Sequence, residues 1–187
     1  MGYRNTLHGL DSNGEPTARR VLTMDVAREI AAHLAAAGFP KGGAATRQIH
    51  CLAEEAGELV GAHRRYAGMA RRSGDIDEVR AELADVAIAT YVMAGTLGAE
   101  LEPLAPLPAS PVASTPRESV LDVFVAVGRF VDRHGDVALS RWPVNETLFK
   151  PIIWHVQVAA RALDIDLTEA VADKLDVIFG RVWRERS

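Results

Sequence analysis

Five acids in two short stretches are the residues of this chain best placed to do chemistry. Glu54, Glu55 and Glu58 fall inside "CLAEEAGELV" (51–60), and Glu82 and Asp85 begin "AELADVAIATYVMAGTLG" (81–98). Each stretch otherwise reads as helix core. At roughly 100° per residue, Ile49, Leu52, Ala56, Leu59, Val60 and His63 form one apolar stripe. Glu55 lies on its edge, Glu58 a little further round, and Glu54 near the opposite side. Glu55 and Glu58 are neighbours at i and i+3, as are Glu82 and Asp85. No charged residue follows between Val86 and Gly98, and Ala89, Val92 and Met93 share the side of Glu82 and Asp85. A helix apolar all round is a buried helix. The second acidic pair therefore opens a face that becomes buried.

The connection from 66 to 77 is short enough to make these two helices antiparallel neighbours. The two acidic pairs then face each other at similar height. Four carboxylates converging between packed helices repel strongly and require cations or protons. All-oxygen ligation suits Mg²⁺, with Mn²⁺ as a substitute. Zinc is disfavoured because there is no Cys/His cluster. A di-iron bundle would want Glu-x-x-His on its helices, and here the pattern is Glu-x-x-Glu and Glu-x-x-Asp. The bland alternative is that these are solvated helix faces carrying ordinary surface acids.

The rest of the chain bounds these readings. It has 187 residues, a net charge of -4 and 48% hydrophobic residues, as an ordinary globular protein does. Its pI near 5.9 argues against binding a nucleic-acid polymer through bulk charge. No apolar run reaches the ~20 residues of a membrane span, and no signal peptide is visible. With Cys51 as the one cysteine, internal disulfides are impossible and a cytoplasmic location is the default.

The expected fold is all-α, an antiparallel bundle of about six helices. Residues 1–20 are polar and aperiodic and read as an arm. Helices are expected over about 24–37 with Thr23 as cap, 45–67, and 76–98 with Asp75 and Glu78 as a capping box. "EPLAPLPASPVASTP" (102–116) reads as an extended proline linker. Thr115, Pro116 and Glu118 start a fourth helix, to about His134. A fifth covers about 148–163 with Thr147 as cap, and Asp166 with Glu169 opens a sixth to about Arg184. Cys51 reads as a small buried residue. Tyr91, Trp142, Trp154 and Trp183 read as core aromatics, and His33, His63 and His155 as core or core-edge histidines.

Glu54-Glu55-Ala56-Gly57-Glu58 followed by Glu82-Leu83-Ala84-Asp85 resembles the signature of the MazG family of all-α nucleoside triphosphate pyrophosphohydrolases. The resemblance covers about residues 24–101. It implies Mg²⁺-dependent cleavage of a nucleotide between its α and β phosphates, giving a monophosphate and pyrophosphate. Glu55, Glu58, Glu82 and Asp85 would hold the metal, and Glu54 would orient or deprotonate the attacking water. Arg64, Arg65, Arg71, Arg72 and Arg80 surround the intervening loop and could hold phosphates. "LDIDLTEAVADKLDVIFGRVW" resembles the family's segment after its third helix, with Lys174 and Arg181 in place as candidate phosphate contacts and Ile178 where an asparagine is common. Two rival readings keep the scaffold: a pyrophosphohydrolase for another nucleotide such as phosphoribosyl-ATP, and a catalytically silent helical binding protein.

Residues 117–187 form a second helical half, read as either a degenerate repeat or an insertion plus a C-terminal helix. Aligning Gly57 with Gly128 puts Val125, Ala126 and Arg129 opposite Glu54, Glu55 and Glu58. Aligning "LGAEL" (97–101) with "LDIDL" (163–167) puts Leu148 and Pro151 opposite Glu82 and Asp85. The repeat predicts two halves packed as one domain, a pseudo-dimer in a single chain, with Phe124, Val127, Ile153 and Val156 contacting the first half. A homodimer is the other possible assembly.

Overall fold

The computed structural model describes residues 19–36, 43–107, 114–134 and 146–180. These form an all-α bundle of six helices: α1 (Met24–Ala36), α2 (Ala44–Tyr66), α3 (Ile76–Thr96), α4 (Pro116–His134), α5 (Lys150–Ala162) and α6 (Leu167–Gly180). Residues 1–18, Trp142, Arg181 and Trp183 lie outside the described residues, so the expectations resting on them have no structural counterpart here.

Local chemistry sets the helix starts. The Val26 N–H donates to Thr23 Oγ1 at 3.3 Å, and the Glu78 N–H donates to Asp75 Oδ1 at 2.9 Å. Only half of the box at Asp75 forms, because the Glu78 carboxylate turns to Arg65 instead. The box at α4 is complete: Glu118 Oε2 takes the Thr115 N–H while Thr115 Oγ1 takes the Glu118 N–H. The Glu169 N–H donates to Asp166 Oδ1 at 3.0 Å and opens α6. The expected Thr147 cap is corrected. Glu146–Leu148 form a 3-10 turn, and Phe149 precedes α5 with no side-chain cap. Pro151 still falls in the first turn, where its missing N–H has no helical partner to lose.

α3 is the central element. Val79, Leu83, Ala84, Val86, Ala87, Tyr91, Met93 and Ala94 are buried, and α1, α2, α5 and α6 all pack on it. α2 and α3 run antiparallel: Glu55 lies near Glu82 and Asp85, and Arg65, further along α2, meets Glu78, further back on α3. α4 and α5 form a second antiparallel pair, with the Phe130 and Phe149 rings 5.3 Å apart. This pair lies against the first, α4 on α2 and α5 on α3. Val127 and Val156 are buried and Ile153 is half-buried against the core, whereas Phe124 is 47% exposed. Trp154 is also exposed, at 54%, against the expectation of a core aromatic.

The start of the proline-rich linker is extended and pinned. Prolines offer carbonyls but no N–H, so the neighbouring helices supply donors. The Tyr91 hydroxyl donates to the Glu102 carbonyl at 2.6 Å, the Gln157 amide donates to the Ala105 carbonyl, and Arg161 Nη2 donates to the Leu107 carbonyl at 2.6 Å. The Leu104 N–H donates to the Leu22 carbonyl at 3.0 Å.

α3 and α5 end alike. The Ala99 N–H reaches back to the Ala94 carbonyl at 2.9 Å, and the Ile165 N–H to the Ala160 carbonyl at 2.8 Å. The intervening residues are left-handed, Gly98 at φ 75° and Asp164 at φ 57°. A methyl added at Gly98 would touch nothing, so its cost is purely dihedral. Gly98→Ala is therefore expected to destabilise the fold by about 1 kcal/mol. Asp164→Gly, relieving a non-glycine residue at positive φ, is expected to be neutral or stabilising by up to about 1 kcal/mol. Urea unfolding midpoints check both; a neutral Gly98→Ala would remove the dihedral account.

Candidate metal centre

Half-buried carboxylates from two helices converge at the middle of the α2–α3 pair. One oxygen each from Glu55, Glu82 and Asp85 lie within 4.8 Å of one another. Glu55 is carried there by the edge of the α2 stripe, whose Leu52, Ala56 and Leu59 are fully buried. Glu82 and Asp85 flank Leu83 and Ala84, also fully buried, so the packing that fixes α3 fixes both acids. At that separation two ionised carboxylates repel by about 3 kcal/mol at an effective dielectric of ~20.

The electrostatics record this crowding. Burial, reinforced by Asp85, Glu58 and Glu82, pushes the Glu55 carboxyl up to about 7. Burial, with Asp85 and Glu58, also raises Glu82. Glu82 Oε2 is buried without a hydrogen-bond partner. An orphaned carboxylate oxygen is costly, and it is the group a cation or proton would satisfy. The Cys51 thiol lies 3.8 Å from Glu55 Oε1, one helical turn earlier. Burial and that neighbouring charge push the thiol up to about 11, so it is neither a nucleophile nor a thiolate ligand near neutral pH. A hard, oxygen-liganded divalent cation fits this donor set.

Not every expected residue joins the cluster. Glu58 is exposed and outside the close triad, though its charge raises both Glu55 and Glu82. Glu54 is exposed one position before Glu55. The loop cations divide. Arg65 Nε donates to Glu78 Oε2 at 2.7 Å, and Arg72 lies 3.7 Å from the same carboxylate. Arg80 pairs with Asp173 and lies 3.9 Å from Glu169, clasping α6 to α3. Arg64 and Arg71 are exposed.

Lys174 is the cation that reaches the centre. Its ammonium donates to Asp85 Oδ2 and lowers the pKa of both Glu55 and Glu82. The resemblance alone singled this lysine out, as a phosphate contact; periodicity could not place it beside Asp85, because α6 is 89 residues away in sequence. The Cys51–Glu55 contact, at i and i+4, was visible as helical spacing. Comparison with family models, curated proteins and solved structures finds no match to this chain.

The raised Glu55 pKa gives a signed prediction for the metal-free protein. Its carboxyl titrates near 7 in the folded state against an ordinary 4.5. Between those values the native state binds more protons than the unfolded chain, so stability falls as pH rises. Allowing for solvent screening, the loss across that window is about 1 kcal/mol. Chelator-treated wild type should melt higher at pH 5 than at pH 7.5, and Glu55→Gln should largely flatten the difference. An identical pH dependence in both proteins would remove Glu55 as its source.

Proposed function

We propose that the chain is a divalent-metal-dependent nucleotide pyrophosphohydrolase, cleaving a nucleoside triphosphate or deoxynucleoside triphosphate to its monophosphate and pyrophosphate. The observation that carries the reading is the meeting of Glu55, Glu82 and Asp85 within 4.8 Å, with one Glu82 oxygen buried and unpartnered. Glu55, Glu82 and Asp85 would hold Mg²⁺, or Mn²⁺ in its place, with Glu58 at the open edge. When bound, the ion neutralises charge on phosphoryl oxygens and acidifies a water.

The chain's own groups supply the remainder. Glu54, exposed one position before Glu55, would in this reading accept a proton from a water approaching from solvent. Lys174 carries positive charge to the same edge, on a flexible stem that can leave Asp85 for a phosphate oxygen. Arg64 in the last turn of α2 and Arg71 in the loop that follows keep exposed guanidiniums. Arg65 and Arg80, held by Glu78 and by Asp173, act in this reading through the positions of α2, α3 and α6.

The second half supports the scaffold, and among the described residues it carries no second acidic cluster. Along the aligned positions the burial pattern repeats. Leu52, Ala56 and Leu59 are buried as Val123, Val127 and Phe130 are; Glu54, Gly57 and Glu58 are exposed as Val125, Gly128 and Arg129 are. The matching ends of α3 and α5 add to this correspondence. We read α4–α5 as a degenerate copy of α2–α3, with Arg129 and Pro151 where acids stand in the first half.

One observation favours a second reading, a catalytically silent helical protein: the Lys174–Asp85 pair already supplies the cluster with a counter-charge. Two measurements separate the readings. Mg²⁺ should raise the melting temperature of the wild type by mass action, and much less in Glu55→Gln or Asp85→Asn. Pyrophosphate release should appear on at least one of a panel of canonical and modified nucleotides and fall by about 10³-fold in both variants. A metal-induced shift without turnover on any nucleotide favours the silent reading; no shift at all removes the metal centre.

Lys174→Met gives an independent check. Without its competitor, the metal alone should bind about tenfold tighter, a difference of about 1.4 kcal/mol. The metal-free protein should melt lower, because the acids lose their one nearby ammonium. Titration calorimetry with Mn²⁺ measures the first effect, and unchanged affinity would dismiss Lys174 as an internal counter-ion.

A further inference from the structure

We propose that the outward face of α4 is a dimer interface, occupied by α4 of a second copy of this chain lying antiparallel across it. Eight large hydrophobic side chains are exposed among the described residues, and three of them share this face: Leu121 at 43%, Phe124 at 47% and Val125 at 44%. At roughly 100° per residue they fall, with Gly128, within an arc of about 100°. That arc lies opposite the buried side made by Val120, Val123, Ala126, Val127 and Phe130. α4 thus has two apolar faces, and the bundle uses one.

The bundle does not require the second. The corresponding face of α2 carries His50, Ala53, Glu54 and Gly57, of which all but Ala53 are exposed. The same helical position is thus polar in one half and apolar in the other. Isolated exposed apolar side chains need no explanation, but a contiguous stripe marks a contact surface.

The charges bordering the stripe select its occupant. Arg117 and Asp132 lie on the same arc, near opposite ends of α4, and neither forms an ion pair among the described residues. A twofold axis passing between Phe124 and Val125 would set Arg117 of each copy against Asp132 of the other. It would set Leu121 against Gly128, where no atom lies within 4 Å of an added Cβ. Phe124 would meet Val125. On the flank, Glu118 and Arg129 would face each other with opposite sign. A parallel pairing would instead oppose Arg117 with Arg117 and Asp132 with Asp132. The face is therefore self-complementary in one direction only, as an isologous contact requires.

The geometry also bounds the affinity. A helix of this length spans about 28 Å, and one helix face buries less than the ~800 Å² per partner of a standard interface. The dimer is therefore reversible, with dissociation on the order of micromolar. α4 packs on α2 and α5, whereas the acidic cluster lies between α2 and α3 beside α6. Association leaves the cluster open, so this proposal is independent of the catalytic reading.

The experiment is sedimentation equilibrium on the full chain from about 1 to 300 µM, a range set by that bound, with circular dichroism to verify folding. Wild type should shift from monomer to dimer across the range. Phe124→Glu, at an exposed position, should remain monomeric with unchanged helicity and an unchanged Mg²⁺ response in melting. Arg117→Asp and Asp132→Arg should each weaken association about tenfold through reciprocal like-charge pairs, and the double variant should restore it. A wild type that stays monomeric throughout, or a Phe124→Glu that still dimerises, overturns the interface. Single charge reversals that weaken association without rescue by the double variant overturn the antiparallel arrangement.

Discussion

Everything around the centre of this bundle answers one electrostatic problem: three carboxylates held within 4.8 Å by helices that cannot move apart. The holding force is apolar. Leu52, Ala56, Leu59, Leu83 and Ala84 are fully buried, and each large side chain contributes about 1.5–3 kcal/mol when removed from water. Those contacts oblige Glu55, Glu82 and Asp85 to share a half-buried space. The consequences are a carboxyl retained as its acid to near neutrality, an oxygen without a donor, and a lysine brought from α6. A surface cluster could relax by rotating its side chains into solvent. This one is fixed from behind.

The helices were largely legible in the sequence because their signals are local. Thr23, Asp75, Thr115 and Asp166 all cap where their residue types indicate. The start of α5 was not legible, because Thr147 four residues before Pro151 has the appearance of a cap, while the residue that precedes the helix is the fully buried Phe149. The acidic cluster was legible for a similar reason: spacing along two amphipathic helices and one short loop is enough to bring Glu55 near Glu82 and Asp85. Glu58 shows where such reasoning stops. Its angular position differs from that of Glu55 by about 60° around the helix, and that turn separates the cluster from solvent. Arginine roles were the least legible. Arg65 and Arg80 find carboxylates on neighbouring helices, and the register of packed helices is not written in either sequence segment alone.

On the proposed repeat, the two halves of the bundle put one plan to different uses. Their apolar positions correspond, and their helix ends close with the same backbone turn, although one has glycine and the other aspartate at the left-handed residue. Apolar positions are set by the need to pack each hairpin on the other, and that need is the same for both. Polar positions are free of it. Acids stand at them in the first half, and an arginine, a proline and an apolar outer stripe in the second.

The stretch after α3 has a consequence for how the molecule comes apart. Its carbonyls are tied to Tyr91 on α3 and to Gln157 and Arg161 on α5, and the Leu104 N–H reaches the Leu22 carbonyl, ahead of α1. A connector of this kind acts as a seam. Opening either hairpin strips donors from the same strip of backbone, leaving carbonyls with neither protein nor, at first, water. Partial opening is thereby penalised at both sides together. The bundle should exchange its slowest amide protons in the two halves with one common free energy, as a single cooperative unit and not as two beads on a string.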